Sequence, residues 1–216
     1  IDAGAIAACD QLLVILPERP SKADFAKLPQ GAKLQAVRRK HAADSLPAFT
    51  TRLANKKQTF VAGGTLAAGS SVFEQLSVAR KLVAAATNEK AGSLGICAIG
   101  FDDDATQRIV ANVLAAALAA AFRMPAYKKD EQPERIRNIR LLGLDQRLDT
   151  RRVEAEAKGN NLARWLTALP PNYLDASAYE QLAASMAKER GWQYKRFGTK
   201  ELSSLGCGAF LAVAQG

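Results

Sequence analysis

Residues 93–125, SLGICAIGFDDDATQRIVANVLAAALAAAFRMP, decide the fold class of this chain. The first eight residues are a short apolar run, the signature of a buried strand. Three consecutive aspartates follow, and then apolar residues recur at Val110, Leu114, Ala117 and Ala121. That spacing of i, i+4, i+7 is helical, and Pro125 marks its end. The aspartates Asp102, Asp103 and Asp104 are expected to cap the helix and complement the positive end of its dipole, rather than to ligate a metal. The helix is apolar nearly all round, so it is expected to lie between layers. A strand feeding directly into such a helix predicts an α/β sheet with parallel pairs.

Working outward, the same alternation recurs. Residues 9–17 read as a first strand closed by Pro17, and a polar, proline-punctuated helical region runs from Ser21 to about Arg52. QTFVAGG (58–64) reads as a short buried strand ending at paired glycines, followed by a helix over 72–81 and an apolar run, KLVAAAT, of open state. NIRLLGL (138–144) reads as another strand. DQRLDTRRVEAEAKGNN (145–161) has no strand signature and reads as a solvent-facing helix bridging two units, with the boundary near 148–158.

Beyond it come a short helix over 160–169, the Pro170-Pro171 stop, and a helix capped by Asp175 or Ser177 and closed at Gly191. WQYKRF (192–197) is read as a strand, TKELSSLG (199–206) as a short helix and CGAFLAVAQ (207–215) as a final strand. The expected fold class is therefore α/β: an N-terminal α/β domain with a central mixed sheet flanked by helices, a linker helix, then an incomplete second α/β domain.

Composition narrows the function. The 216 residues are 48% hydrophobic and 24% charged, ordinary for a globular chain. The net charge of +9 points toward an acidic partner, nucleic acid first, and basic residues gather at 38–41, 55–57 and 128–140. No stretch reaches the roughly 18 apolar residues of a membrane span. Cys9, Cys97 and Cys207 lack the CxxC spacing of a zinc clip and are too few and scattered for a disulfide framework, which fits a reducing cytoplasm. His41 is the only histidine and lies in a polar helical stretch. Gly63-Gly64 and AGSS (68–71) offer a helix N-terminus for an anion, but lack P-loop or dinucleotide spacing and read as a plain turn. No G-x-S-x-G elbow is present. No catalytic, cofactor-binding or metal-ligating residue is expected among these 216.

NNLARWLTALPPNYLDASAYEQLAASMAKERG (160–191) and KELSSLGCGAFLAVAQG (200–216) resemble the leucyl (cytosol) aminopeptidase family. Asn161-Leu162-Ala163-Arg164, Pro170-Pro171-Asn172, Leu174 and the run from Gly206 to Gly216 carry the match, and AAFRMPAYK (120–128) adds to it. Trp165, Ala168, Asp175-Ala176 and Cys207 depart from the family pattern.

The resemblance implies a macro-like N-terminal α/β domain over 1–150, an interdomain helix over 151–168 and the truncated beginning of a metallopeptidase catalytic domain over 169–216. It further implies a cytoplasmic homo-hexamer acting on peptide substrates through two divalent metals, zinc or manganese, that activate a water. The family's metal ligands have no counterpart in this sequence, so no metal is expected on this segment and the chain alone is expected to be inactive. A last strand with no partner implies continuation past Gly216. Two other classes stay open: a DNA-binding or regulatory module, and a non-catalytic structural subunit.

Overall fold

A computed structural model describes residues 1–40, 47–67, 69–88, 92–127 and 136–215. Its elements in chain order are α1 (Ala3–Ala7), β1 (Gln11–Pro17), α2 (Lys22–Ala26), α3 (Gly31–Lys40), β2 (Phe49–Arg52), β3 (Phe60–Leu66) and α4 (Val72–Thr87). They continue with β4 (Ser93–Ala98), α5 (Asp103–Ala121), β5 (Asn138–Leu141), α6 (Arg151–Ala168), α7 (Ala176–Arg190), α8 (Thr199–Ser204) and α9 (Gly208–Val213). The strands form one sheet in the order β2-β3-β1-β4-β5, parallel except for the antiparallel edge pair β2–β3. This is the α/β architecture expected from the strand-to-helix alternation.

β1 shows why the sheet is buried on both faces. QLLVILP is apolar at every position from Leu12 to Leu16, and all five side chains are fully buried. Such a continuous run suits a central parallel strand rather than a half-solvated one. Its alternate residues feed two cores. Leu13 and Ile15 pack with Ala62, Leu94 and Ile96 under Val78, Leu82, Ile109 and Val113 of α4 and α5. Leu12, Val14 and Leu16 join Phe25, Leu34, Phe49 and Val61 on the other face. Two layers of helices thus sandwich the sheet.

At the N-terminal ends of the strands, Asp10 gathers three segments. Its Oδ2 accepts the Ser93 amide at 2.8 Å and the Ser93 hydroxyl at 2.6 Å, while Oδ1 takes the Lys57 ammonium at 2.9 Å. The Ser93 hydroxyl above all, then Lys57, hold the Asp10 carboxyl below its ordinary range.

Several sequence readings are corrected. Phe49–Arg52, within the stretch read as helical, is an edge strand, because antiparallel pairing with β3 seats Phe49 opposite Gly63. The paired glycines do not end β3; they lie inside it, and the strand runs on to Leu66. The apolar run KLVAAAT completes α4. The bridging helix and the short helix after it are one helix, α6, which passes through Gly159 at a cost of about 1 kcal/mol relative to alanine.

By compactness the chain divides into residues 1–167 and 168–216. In the second unit, α7 starts at Asp175, whose carboxylate accepts the Ala178 amide at 2.7 Å, and ends at Gly191 with φ of 66°, both as expected. The two strands read there are absent. Residues 192–198 are in no ladder, and residues 208–213 are helical. A strand exists only when a neighbour supplies its hydrogen bonds, whereas a helix satisfies its own. With no partner strand, the alanine-rich run takes the helix, so the expected second α/β layout becomes three helices among the described residues. No helix of the described residues is long and apolar enough to cross a membrane.

Candidate functional site

In open parallel sheets, ligands bind beyond the carboxyl ends of the strands, where neighbouring connections diverge to opposite sides. Here that divergence falls at β1, whose neighbours are β3 on one side and β4 on the other. Beyond β4 the chain turns sharply at Gly100, with φ of 87°, and a Cβ there would meet the Asp24 carboxyl at 2.9 Å and Pro17 Cδ at 3.0 Å. Only glycine serves that turn without strain. Asp102 then caps α5, its Oδ1 accepting the Ala105 amide at 2.7 Å. Capping was the role expected of one of the three aspartates.

A crevice of about 240 Å³ opens between this turn and the segment after β5. Phe101 and Leu144 give it an apolar part, while Asp103, Asp145, Thr106 and Gln107 line it together with the cationic Lys27 and the Ile1 terminus. Thr106 is only 9% exposed and its hydroxyl has no hydrogen bond to another described residue. Neither Asp103 nor Asp145 is ion-paired with a described residue.

None of the sequence candidates converges on a reaction centre. Ser71 caps α4 in a reciprocal box with Glu74, which places a carboxylate where an anion would have sat. Gly63 and Gly64 are packed inside the sheet. Burial pushes the Cys97 thiol up to about 12 and raises that of Cys9, so both behave as small apolar side chains. Cys207 precedes α9 and is half-buried. His41 lies outside the described residues. Among the described residues no three His, Cys, Asp or Glu side chains converge closely enough to hold a metal.

Sequence reading passed over Thr106, Gln107 and Asp145. Asp145 had been absorbed into a charged stretch read as helix, while α6 begins only at Arg151. The available signal was Gly143, two residues after the strand NIRL, whose φ of 70° lies in the left-handed region that favours glycine.

No family model matches the chain. Among curated proteins it is 34% identical over 131 residues to a protein named probable cytosol aminopeptidase from Synechococcus sp., covering 58% of this chain and 26% of that relative. A protein of the same name from Prochlorococcus marinus is 34% identical over 145 residues, covering 63% and 29%. Another from Parasynechococcus marenigrum is 27% identical over 212 residues, covering 96% and 43%. The chain thus spans less than half the length of these curated relatives.

Among solved structures it resembles a mutant of tomato leucine aminopeptidase, with a TM-score of 0.64 and 15% identity over 84% of this chain and 40% of that one. The bottromycin maturation enzyme BotP in complex with Mn gives 0.60 and 18%, over 90% and 40%. At such identities the likeness is one of fold.

Proposed function

Since this chain is related to the leucyl (cytosol) aminopeptidases, we propose that it is part of an enzyme releasing N-terminal amino acids from peptides. The observation that carries the reading is similarity extending over 96% of the chain to a protein named probable cytosol aminopeptidase. Two bound metals would supply an activated water in such an enzyme. In this reading these 216 residues serve as scaffold, and the reacting groups lie elsewhere in the enzyme. The proposal includes a cytoplasmic setting and a homo-hexamer.

Leucine p-nitroanilide hydrolysis separates the two halves of this reading. The purified 216-residue chain should show no turnover above buffer with added zinc or manganese. Any longer protein carrying these residues should hydrolyse the substrate and lose activity to a chelator. Turnover by the 216 residues themselves would overturn the scaffold role; an inactive longer protein would overturn the peptidase.

A second reading rests on one arrangement. α3 and β2 lie side by side, the Lys33 ammonium donating to the Arg52 carbonyl at 2.6 Å. Lys33 thereby meets Arg52 on the edge strand, and Arg39 and Lys40 follow on the same helix. Such an edge suits a nucleic-acid backbone. Duplex DNA retention should then fall steeply with salt, by roughly 10³-fold or more between 50 and 200 mM if six or more phosphates are contacted. Retention that stays flat across that range would remove this reading.

A further inference from the structure

We propose that the hollow between the C-terminal end of α5 and the facing side of α6 binds a small carboxylate with an aromatic or branched aliphatic body. This site goes beyond the peptidase reading and stands whether or not that reading does.

The spacing along one helix builds most of it. Lys158, Asn161, Leu162 and Trp165 fall at i, i+3, i+4 and i+7, so they share one face of α6. Asn161 and Arg164 anchor this part of α6 to the end of α5 through the Leu118 and Ala119 carbonyls. The chain leaves α5 at Phe122, in extended backbone with ψ of 136°, and Phe122 and Arg123 line the other side. All six lining residues belong to the unit spanning 1–167. They enclose an open hollow of about 450 Å³, within the roughly 300–1,000 Å³ of small-molecule sites. Phe122, Leu162 and Trp165 are each half-buried and make its lining mainly apolar. A ligand body that covers them removes that surface from water.

The polar groups select the sign of the ligand. Asn161 is already engaged, its amide donating to Leu118 and its Oδ1 accepting Arg164 at 2.8 Å. The other polar groups are donors: the Arg123 guanidinium, the Lys158 ammonium and the Trp165 indole N–H. None of the three is bonded to another described residue. No carboxylate lines the hollow. Glu154, four positions before Lys158, has its Oε1 accepting the Thr150 hydroxyl at 2.6 Å, and Glu156 pairs with Arg152. Arg164 offsets the negative end of the α5 dipole. A carboxylate entering here meets charge-assisted donors, whereas an amine meets like charge. An inorganic anion would leave the apolar lining uncovered.

The chain has two tryptophans, and Trp192 is 57% exposed, so Trp192→Phe leaves Trp165 as the only indole. The test is a fluorescence titration of that variant with 3-phenylpropionate, with its uncharged isostere 3-phenylpropanamide, and with acetate. 3-Phenylpropionate should change the Trp165 emission saturably with a Kd of about millimolar, as expected for so few atoms. The amide should bind roughly tenfold more weakly, and acetate should leave the emission unmoved. Arg123→Gln combined with Lys158→Gln should weaken 3-phenylpropionate by roughly tenfold, the scale of two exposed ion pairs. Its melting temperature should not change, because both side chains are exposed and unpaired among the described residues. Amide binding as tight as that of the carboxylate, an equal response to acetate, unchanged affinity in the double variant, or no saturable response would each overturn the assignment.

Discussion

Gly63→Val is expected to prevent folding, and Gly63→Ala to destabilise the protein by about 3 kcal/mol or more, the upper range for overpacking. Gly63 sits mid-strand in β3, paired with Val14 of β1 on one side and with Phe49 of β2 on the other. A Cβ placed there would lie 2.0 Å from Phe49 Cε1 and 2.1 Å from Cζ. Phe49 is fully buried and wedged among the apolar residues of that face, so its ring has nowhere to swing.

The neighbouring face is closed too, since a Cβ at Gly64 would approach Val78 Cγ1 at 2.9 Å and Leu82 Cδ1 at 3.0 Å. Domains of this kind are stable by only about 5–15 kcal/mol, and valine adds two more methyl groups to an impossible contact. Phe49→Ala alone should cost about 3–5 kcal/mol through the cavity it leaves. Combined with Gly63→Ala it should cost less than the sum, with a coupling of about 1–3 kcal/mol, because the new methyl enters the vacated space. Urea melts of the four proteins check this. A Gly63→Ala protein as stable as the parent would contradict it.

The Asn161→Ala, Arg164→Ala double variant is expected to free α6 while leaving the sheet intact. The last carbonyls of α5 lack partners within their own helix. The Asn161 amide donates to the Leu118 carbonyl at 3.4 Å, and Arg164 Nη1 donates to the Ala119 carbonyl at 3.0 Å and to Asn161 Oδ1 at 2.8 Å. The guanidinium also complements the negative end of the α5 dipole.

Little else holds α6, since Ala157 and Asn161 are its only buried residues. These bonds are exposed or part-buried, so each contributes about 0.5–1.5 kcal/mol. Hydrogen exchange across 151–168 should therefore quicken by roughly ten- to hundredfold at about 1.4 kcal/mol per decade, while β1 and β4 keep their protection. Unchanged exchange in α6, or loss of protection throughout the sheet, would refute a local clamp.

That clamp shows how far sequence reading reached. Asn161 and Arg164 were picked out because NLAR carried a family resemblance, and nothing local hinted that their side chains close another helix. The reverse holds for Asp102 and Asp175. Their capping was legible because a cap acts on amides three residues away, and such short-range chemistry is written in the order of the residues.

By itself, then, the sequence determined the local elements and the layering. The uninterrupted apolar run of β1, the three aspartates before α5, the glycine after α7 and the strand-to-helix alternation were enough for an α/β sheet with buried parallel strands. Only the tertiary structure decided three things. It made Phe49–Arg52 a strand by pairing it with β3. It made 208–213 a helix where no partner strand was at hand. It brought Thr106 and Asp145, 39 positions apart in the chain, to one crevice. Each turns on which distant segments become neighbours. Strand pairing and cavity formation are contacts between positions far apart in the chain, so no window of sequence contains the partner that settles them.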